Sequence, residues 1–457
     1  MLAKKVVDNG PSLFYSSLSV MLNQKHPLFI LAGQVKWSIF EEAFAPLYCL
    51  DNGRPAKPIR LMVGLLILKH LRDVSDENLV EQWSENNYYQ YFCGELNFIP
   101  KVPCEASELV HFRKRIGEAG IELIFKESIR INGKDAEQAH VSIDTTVQEK
   151  NITYPTDAKL HRKIIVKCQS ISKKNGLKQR QSYTFVLKKL GIDQRFRNHP
   201  KNKGKARKAD KSVKTIAGRM VRELERNLPE GAYAEEIDLF NRVLAQKKAD
   251  KNKIYSLHEP DVKCISKGKE HKKYEFGNKV SIVYTQNTGV IVGAMGFRNE
   301  YDGHTLETVL DQHEKLTGRR AKSATVDRGY QGKAKVGETG IAIPKPFNNK
   351  KLSKYKQTKL RNGFKRRAAI EPVIGHLKSD HRLGRNFYKG ITGDNINILL
   401  AATAFNFKRM YNKYKTSMFG FLFNCFKSLI LMTNKLLAVI NSSKIQIQKI
   451  FNLKWAF

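Results

Sequence analysis

The stretch "AHVSIDTTVQ", residues 139–148, is where the chain changes character. Apolar and β-branched residues alternate there, which predicts a β-strand that ends at Asp144. Upstream the spacing is helical. In "RLMVGLLILKHLRDVSDENLVEQWSENNYYQYFCGE", residues 60–95, apolar residues recur every three or four positions, and the break at Asp76–Glu77 predicts two short helices. After Pro103, "EASELVHFRKRIGEAGIELIFKESI" predicts another amphipathic helix, with Ser107 as its cap. Residues 56–135 read as a small helical block; a helix-turn-helix or plain helical packing both fit.

Downstream, "YPTDAKL", residues 154–160, is a turn opening a helix, with Thr156 or Asp157 as cap. Residues 159–255 read as long basic helices. Within them "RFRNHPKNKGKARKADKSVK", residues 195–214, sets nine Lys and Arg against one Asp. Its low hydrophobicity and its Gly and Pro predict an exposed loop, either touching phosphates or a solvated linker.

Strand texture returns in "KKYEFGNKVSIVYTQNTGVIVGAMGFRN", whose "QNTG" is a hairpin turn. A capped helix follows, "DGHTLETVLDQHEKLTG", closing at Gly318. "AKSATVDRGYQG" predicts a short buried strand ending at Asp327, and "GIAIPKP" another. "KRRAAIEPVIGHLKSDHR" and "NINILLAATAFNFKRMYNKYK" read as helices. The order of strand, hairpin, helix, strand, strand, helix predicts an α/β class, an α+β mixed sheet with helices packed on it. The expected organisation is a helical DNA-binding domain over 1–135 and a sheet domain over 136–412, interrupted by a basic helical insertion at about 155–256. An apolar and basic tail covers 413–457.

The chain has 457 residues, ample for a buried core, and 81 Lys and Arg against 43 Asp and Glu leave a net charge of +38. An excess of that size repels itself unless a polyanion offsets it, so nucleic acid is the expected partner. The six cysteines form no CxxC pair and no zinc-finger spacing, and read as reduced thiols of a cytosolic protein. The first residues lack the apolar core of a signal peptide. Residues 418–440 are apolar, but Lys427, Lys435 and two Asn interrupt them, so a terminal amphipathic helix fits better than a membrane span.

Asp144 and Asp327 each fall at the end of a predicted strand, where side chains project into the crevice at a sheet rim. Glu371 is isolated in a basic stretch, with no Asp or Glu between Ile341 and Ile370. Three converging carboxylates suit two divalent cations, because hard oxygen ligands hold Mg²⁺ and leave room for phosphate oxygens. Phe364, Arg367, Glu371 and Lys378 share one face if one helix carries them all. Pro372 fits only a first turn or a kink; if the helix starts near Glu371, Phe364 and Arg367 leave that face. His258, Glu259 and Asp261 of "LHEPD" fit a turn into a strand better than a metal site. Asp302 and His304 fit a helix start. His376 and His381 could touch DNA or pack, and Arg328 could hold a phosphate or form an ion pair.

The combination of "SIDTTVQEKNITYPTDAKL", "SLHEPDVKCISKGKEHKKYEFGNKVSIV", "YDGHTLETVL", "ATVDRGYQG" and "RRAAIEPVIGHLKSDHRLGRN" resembles bacterial insertion-sequence transposases of the DDE class, insertion-sequence-five group. The resemblance covers about residues 35–410. It implies an RNase H-like catalytic core in which Asp144, Asp327 and Glu371 hold two Mg²⁺ or Mn²⁺ ions. It also implies a signature Tyr-x2-Arg-x3-Glu-x6-Lys, matched by Arg367, Glu371 and Lys378, with Phe364 where Tyr is usual. Lys365, Arg366, Arg367, Arg328 and Lys378 are the expected DNA contacts. The implied activity is cleavage at the terminal inverted repeats of an element and transfer of the freed ends to target DNA. The implied setting is the bacterial cytoplasm, at the nucleoid, with a possible homo-oligomer on paired ends and no membrane. A metal-dependent nuclease without strand transfer, or a decayed DNA-binding relic, are the alternatives.

Overall fold

The computed structural model describes residues 16–49, 53–195, 197–247, 249–266, 272–330, 334–343 and 353–416. The apolar stretch 418–440, Cys425 and the first residues of the chain lie outside the described residues. Among the described residues no helix is long and apolar enough to cross a membrane.

Seven helices come first: α1 (Leu18–Met21), α2 (Pro27–Gln34), α3 (Trp37–Phe44), α4 (Ile59–Leu71), α5 (Asp76–Glu85), α6 (Asn87–Cys93) and α7 (Ala106–Ile131). The expected break near Asp76 is a cap: the Ser75 hydroxyl accepts from Asn78 N–H at 3.2 Å. Ser107 is not the cap of α7, contrary to the sequence expectation. Glu105 holds that position, and the Glu108 carboxylate accepts its backbone N–H at 2.9 Å, half of a capping box. α7 is kinked at Gly117, whose φ of 59° suits a residue without Cβ.

The sheet contains β1 (His140–Lys150), β2 (Lys263–Ser266), β3 (Tyr274–Thr285), β4 (Ile291–Phe297), β5 (Ser323–Thr325), β6 (Lys335–Val336), β7 (Thr339–Ala342) and β8 (Arg385–Asn386). Its order is β2-β3-β1-β5-β7-β6, with β4 also on β3 and β8 also on β1. The β3–β4 pair is the hairpin expected around "QNTG". β1 pairs antiparallel with β3 along nearly its whole length, Val141 to Glu149. That pairing carries β1 past Asp144, so the strand does not end there as the sequence suggested. On its other edge β1 pairs with β5 only at residues 140–142 and with β8 only at 149–150. Between them, residues 143–148 have no strand beside them on that edge among the described residues.

A helical insertion, α8 (Asp157–Lys174), α9 (Thr184–Arg195), α10 (Lys203–Asn227) and α11 (Ala234–Ala245), separates β1 from β2. The Thr156 hydroxyl caps α8 as expected. The loop expected over residues 195–214 is a helix from Lys203 onward. Ala206, Ala209, Val213, Ile216, Ala217 and Met220 recur at helical spacing and are buried, and that stripe outweighs the lysines between them. The insertion owns a core, including Ile164, Ile165, Cys168, Val213, Val221 and Phe240. The main core is separate and runs unbroken from Leu28 through the N-terminal helices and sheet to Met410.

α12 (Asp302–Thr317) closes at Gly318 as expected, and Asp302 there pairs with Lys279 at 3.0 Å. α13 (Lys354–Arg367) and α14 (Ile370–Asp380) follow, and a last helix covers 390–416. The single helix expected across Arg367 and Glu371 is thus broken at Ala368–Ala369. Pro372 is the cause. It has no N–H for the Ala368 carbonyl, and its ring excludes that carbonyl from a regular turn. Instead Glu371 N–H donates to Ala368 O at 3.2 Å, and Pro372 sits within the first turn of α14. The shared face of Phe364, Arg367, Glu371 and Lys378 therefore does not exist as one helical stripe.

Candidate active site

The parallel register sets Ser142 beside Thr325. Two residues further along each chain stand Asp144 and Asp327, and the period-two alternation turns both to the same face. Both lie where β5 has stopped and the edge of β1 is open. Each carboxylate is held by its own chain. Asp144 Oδ1 accepts from Thr145 N–H at 2.8 Å, and Asp327 Oδ1 accepts from Arg328 N–H at 2.6 Å. The second oxygens converge: Asp144 Oδ2 lies 3.4 Å and Asp327 Oδ2 3.5 Å from the same atom, Arg367 Nη2. The side chains of Asp144 and Arg367 are 17% and 15% exposed, while Asp327 is 51% exposed.

Arg367 reaches this point from the last residue of α13. Its Nε is buried and has no hydrogen-bond partner among the described residues. Glu371 begins α14, which packs on β1, but its side chain is exposed and makes no hydrogen bond or ion pair among the described residues. Among those residues no three His, Cys, Asp or Glu side chains are grouped to hold a metal. The structure thus gathers two of the three expected carboxylates, around a guanidinium.

The donor set bears on the implied metal. Two carboxylate oxygens aimed at one cationic nitrogen are hard ligands that suit a divalent ion. Asp144 and Asp327 fit that role as they stand, and Glu371 does not take part in it here. Exposed Lys365, Arg366 and Arg328 border the site, and Lys378 is half-buried one helix on.

One contact escaped sequence reasoning. Tyr330 is buried and its phenol bonds the Thr145 hydroxyl, tying the turn after Asp327 to the strand that carries Asp144. Burial pushes the Tyr330 phenol up, so it keeps its proton. The "DRGY" turn was the available signal, since a bulky aromatic just past a strand end must be buried somewhere.

Other candidates have partners within the fold. Glu259 is buried and lies 3.3 Å from Lys150, which also pairs with Asp394 at 2.6 Å. His381 is buried, with Nδ1 2.9 Å from His70 O, and His376 is an exposed partner of Asp380.

Residues 16–115 match the family described as transposase domain (DUF772), and residues 247–407 match the transposase DDE domain. The chain is 41% identical over 192 residues to the uncharacterized protein ORF8 in the nfe locus of Rhizobium meliloti, covering 41% of this chain and 92% of that protein. No solved structure matches. Asp144 lies between the two matched segments and Asp327 and Glu371 lie in the second, so the paired aspartates and the comparisons lead to one conclusion: the chain belongs to the DDE transposases of insertion sequences.

Proposed function

We propose that this transposase binds the terminal repeats of its element and both cuts and joins DNA at Asp144, Asp327 and Glu371. The observation that carries the reading is the convergence of Asp144 Oδ2 and Asp327 Oδ2 on one point at the open edge of β1. The strand order β4-β3-β1-β5-β7, three antiparallel strands continued by parallel ones, supports an RNase H-like core. Asp144 and Asp327 would hold the Mg²⁺ or Mn²⁺ ions, two being expected, with Glu371 brought in by movement at the Ala368–Ala369 link. Bound there, the ions would supply an activated water and charge neutralisation at phosphorus.

The chain's own residues do the rest. Thr145 and Arg328 N–H groups fix one oxygen of each aspartate. Tyr330 and Thr145 hold the two segments in register. Lys365, Arg366, Arg328 and Lys378 offset the charge of the DNA strand, and Arg367 offers a planar fork for phosphate. The helices of 1–135 and the basic insertion provide further surface for DNA.

The test is incubation of the full-length protein with Mg²⁺, a labelled duplex carrying the repeats that flank the gene, and a plasmid target. Joined products are expected. Cut but unjoined ends identify a nuclease instead. Binding without cleavage, unchanged in Asp144→Asn, Asp327→Asn and Glu371→Gln, identifies a relic.

A further inference from the structure

The contacts of Arg367 are unusual for a guanidinium between carboxylates. A charge-assisted N–H···O bond typically spans about 2.7–2.9 Å. Here Nη2 stands 3.4 and 3.5 Å from its two partners. The neighbouring Nε–H, on the same edge of the fork, is buried with no partner among the described residues. One nitrogen is shared loosely between two acids, and the edge that would grip a phosphate with both N–H groups is half unused. Arg367 also ends its helix, two alanines short of the next one.

Without a cation, two carboxylates this close would repel each other. The guanidinium removes that repulsion with a single charge held at long range. A divalent ion would remove it better, and its charge at the same pair of carboxylates would repel the guanidinium. We infer that Arg367 is a built-in competitor for the cation site: it holds Asp144 and Asp327 together at rest and is handed to a DNA phosphate when a divalent ion takes its place. The exchange satisfies every group. Asp144 and Asp327 would hold the ion, and a phosphate would take both Nε–H and Nη2–H in the bidentate geometry that arginine favours.

This inference rests on the reading of Asp144 and Asp327 as the cation ligands. It makes divalent-ion binding and DNA binding help each other, by the same factor in both directions. A protein arranged in this way fills its cation site when DNA is present and is poorly loaded otherwise.

Mn²⁺ uptake by the full-length protein, read from the loss of the free-ion paramagnetic resonance signal, tests it without any assay of activity. Without DNA, Arg367→Gln should bind Mn²⁺ about tenfold more tightly than the wild type. Arg367→Lys, which keeps the charge but loses the fork, should fall between them. Adding a short duplex, with its own Mn²⁺ uptake measured separately, should tighten binding by the wild type and leave Arg367→Gln nearly unchanged. Asp144→Asn should lose the site. If both Arg367 variants bind no more tightly than the wild type while Asp144→Asn loses the site, the competition is refuted and the ligand reading stands. If Asp144→Asn binds as well as the wild type, both are refuted.

Discussion

Among the clusters that join arginine to aspartate in this molecule, two are opposites. In the first, one carboxylate serves two cations. Asp76 accepts from Arg113 Nη1 and Nη2 at 2.9 and 2.7 Å and from Lys69 at 2.8 Å, and the Tyr388 ring lies beneath both cations. The Lys69 and Arg113 side chains are 6% exposed and that of Asp76 12%. In the second, one cation serves two carboxylates, at longer range and nearer solvent. The first cluster welds the N-terminal helices to the segment before the helix over 390–416, and its ionic contacts are short. The second leaves the Arg367 Nε–H without a partner among the described residues and holds its two acids at longer range. Strong complementarity marks the structural cluster, and incomplete complementarity marks the one suited to binding something else.

The contrast can be broken in four ways. Asp144→Asn or Asp327→Asn should lower DNA cleavage on the order of a thousandfold, since a bound ion supplies several kcal/mol of charge stabilisation, while the thermal midpoint stays near the wild-type value. Asp76→Asn should do the reverse. It leaves two buried cations without their acid, a loss of about 3–5 kcal/mol in urea unfolding, with cleavage per folded molecule retained.

Acidity should separate the clusters next. Burial alone would raise the Asp76 carboxyl, but the Arg113 hydrogen bonds and the Lys69 charge outweigh it and hold it below the ordinary carboxylate range. A group whose folded pKa is depressed stabilises the fold above its unfolded value and loses that contribution as pH falls through the folded one. The wild-type urea midpoint should therefore fall more steeply than that of Asp76→Asn below about pH 4. The smallest effect concerns Mg²⁺, which should raise the melting temperature of the wild type by about 1–2 °C and leave Asp144→Asn unmoved. Equal shifts in both would show that the ion binds elsewhere.

Much of this was legible in the chain. The strand around Asp144, the hairpin at "QNTG" and the helix closing at Gly318 are short-range patterns, and short-range patterns are what periodicity reports. Asp327 could be placed because an apolar strand runs into a turn there. The length of β1 was not legible, because its continuation depends on pairing with β3, more than a hundred residues away. The helix over 203–227 was hidden by its lysines, although its alanine and valine stripe was present. Pro372 announced the break before Glu371, and two open readings became one only when the Ala368 carbonyl found its partner. Arg367 was expected to meet phosphate; that it rests between the two aspartates depends on where α13 ends in space.

The strands that flank the insertion meet at one residue. Glu149 of β1 and Lys263 of β2 both pair with Gly277 of β3, from opposite sides. Two strand spacings therefore separate Glu149 from Lys263, about 10 Å. A unit with its own core, attached at two such neighbouring points, can be exchanged as a cassette without disturbing the strands that carry the aspartates.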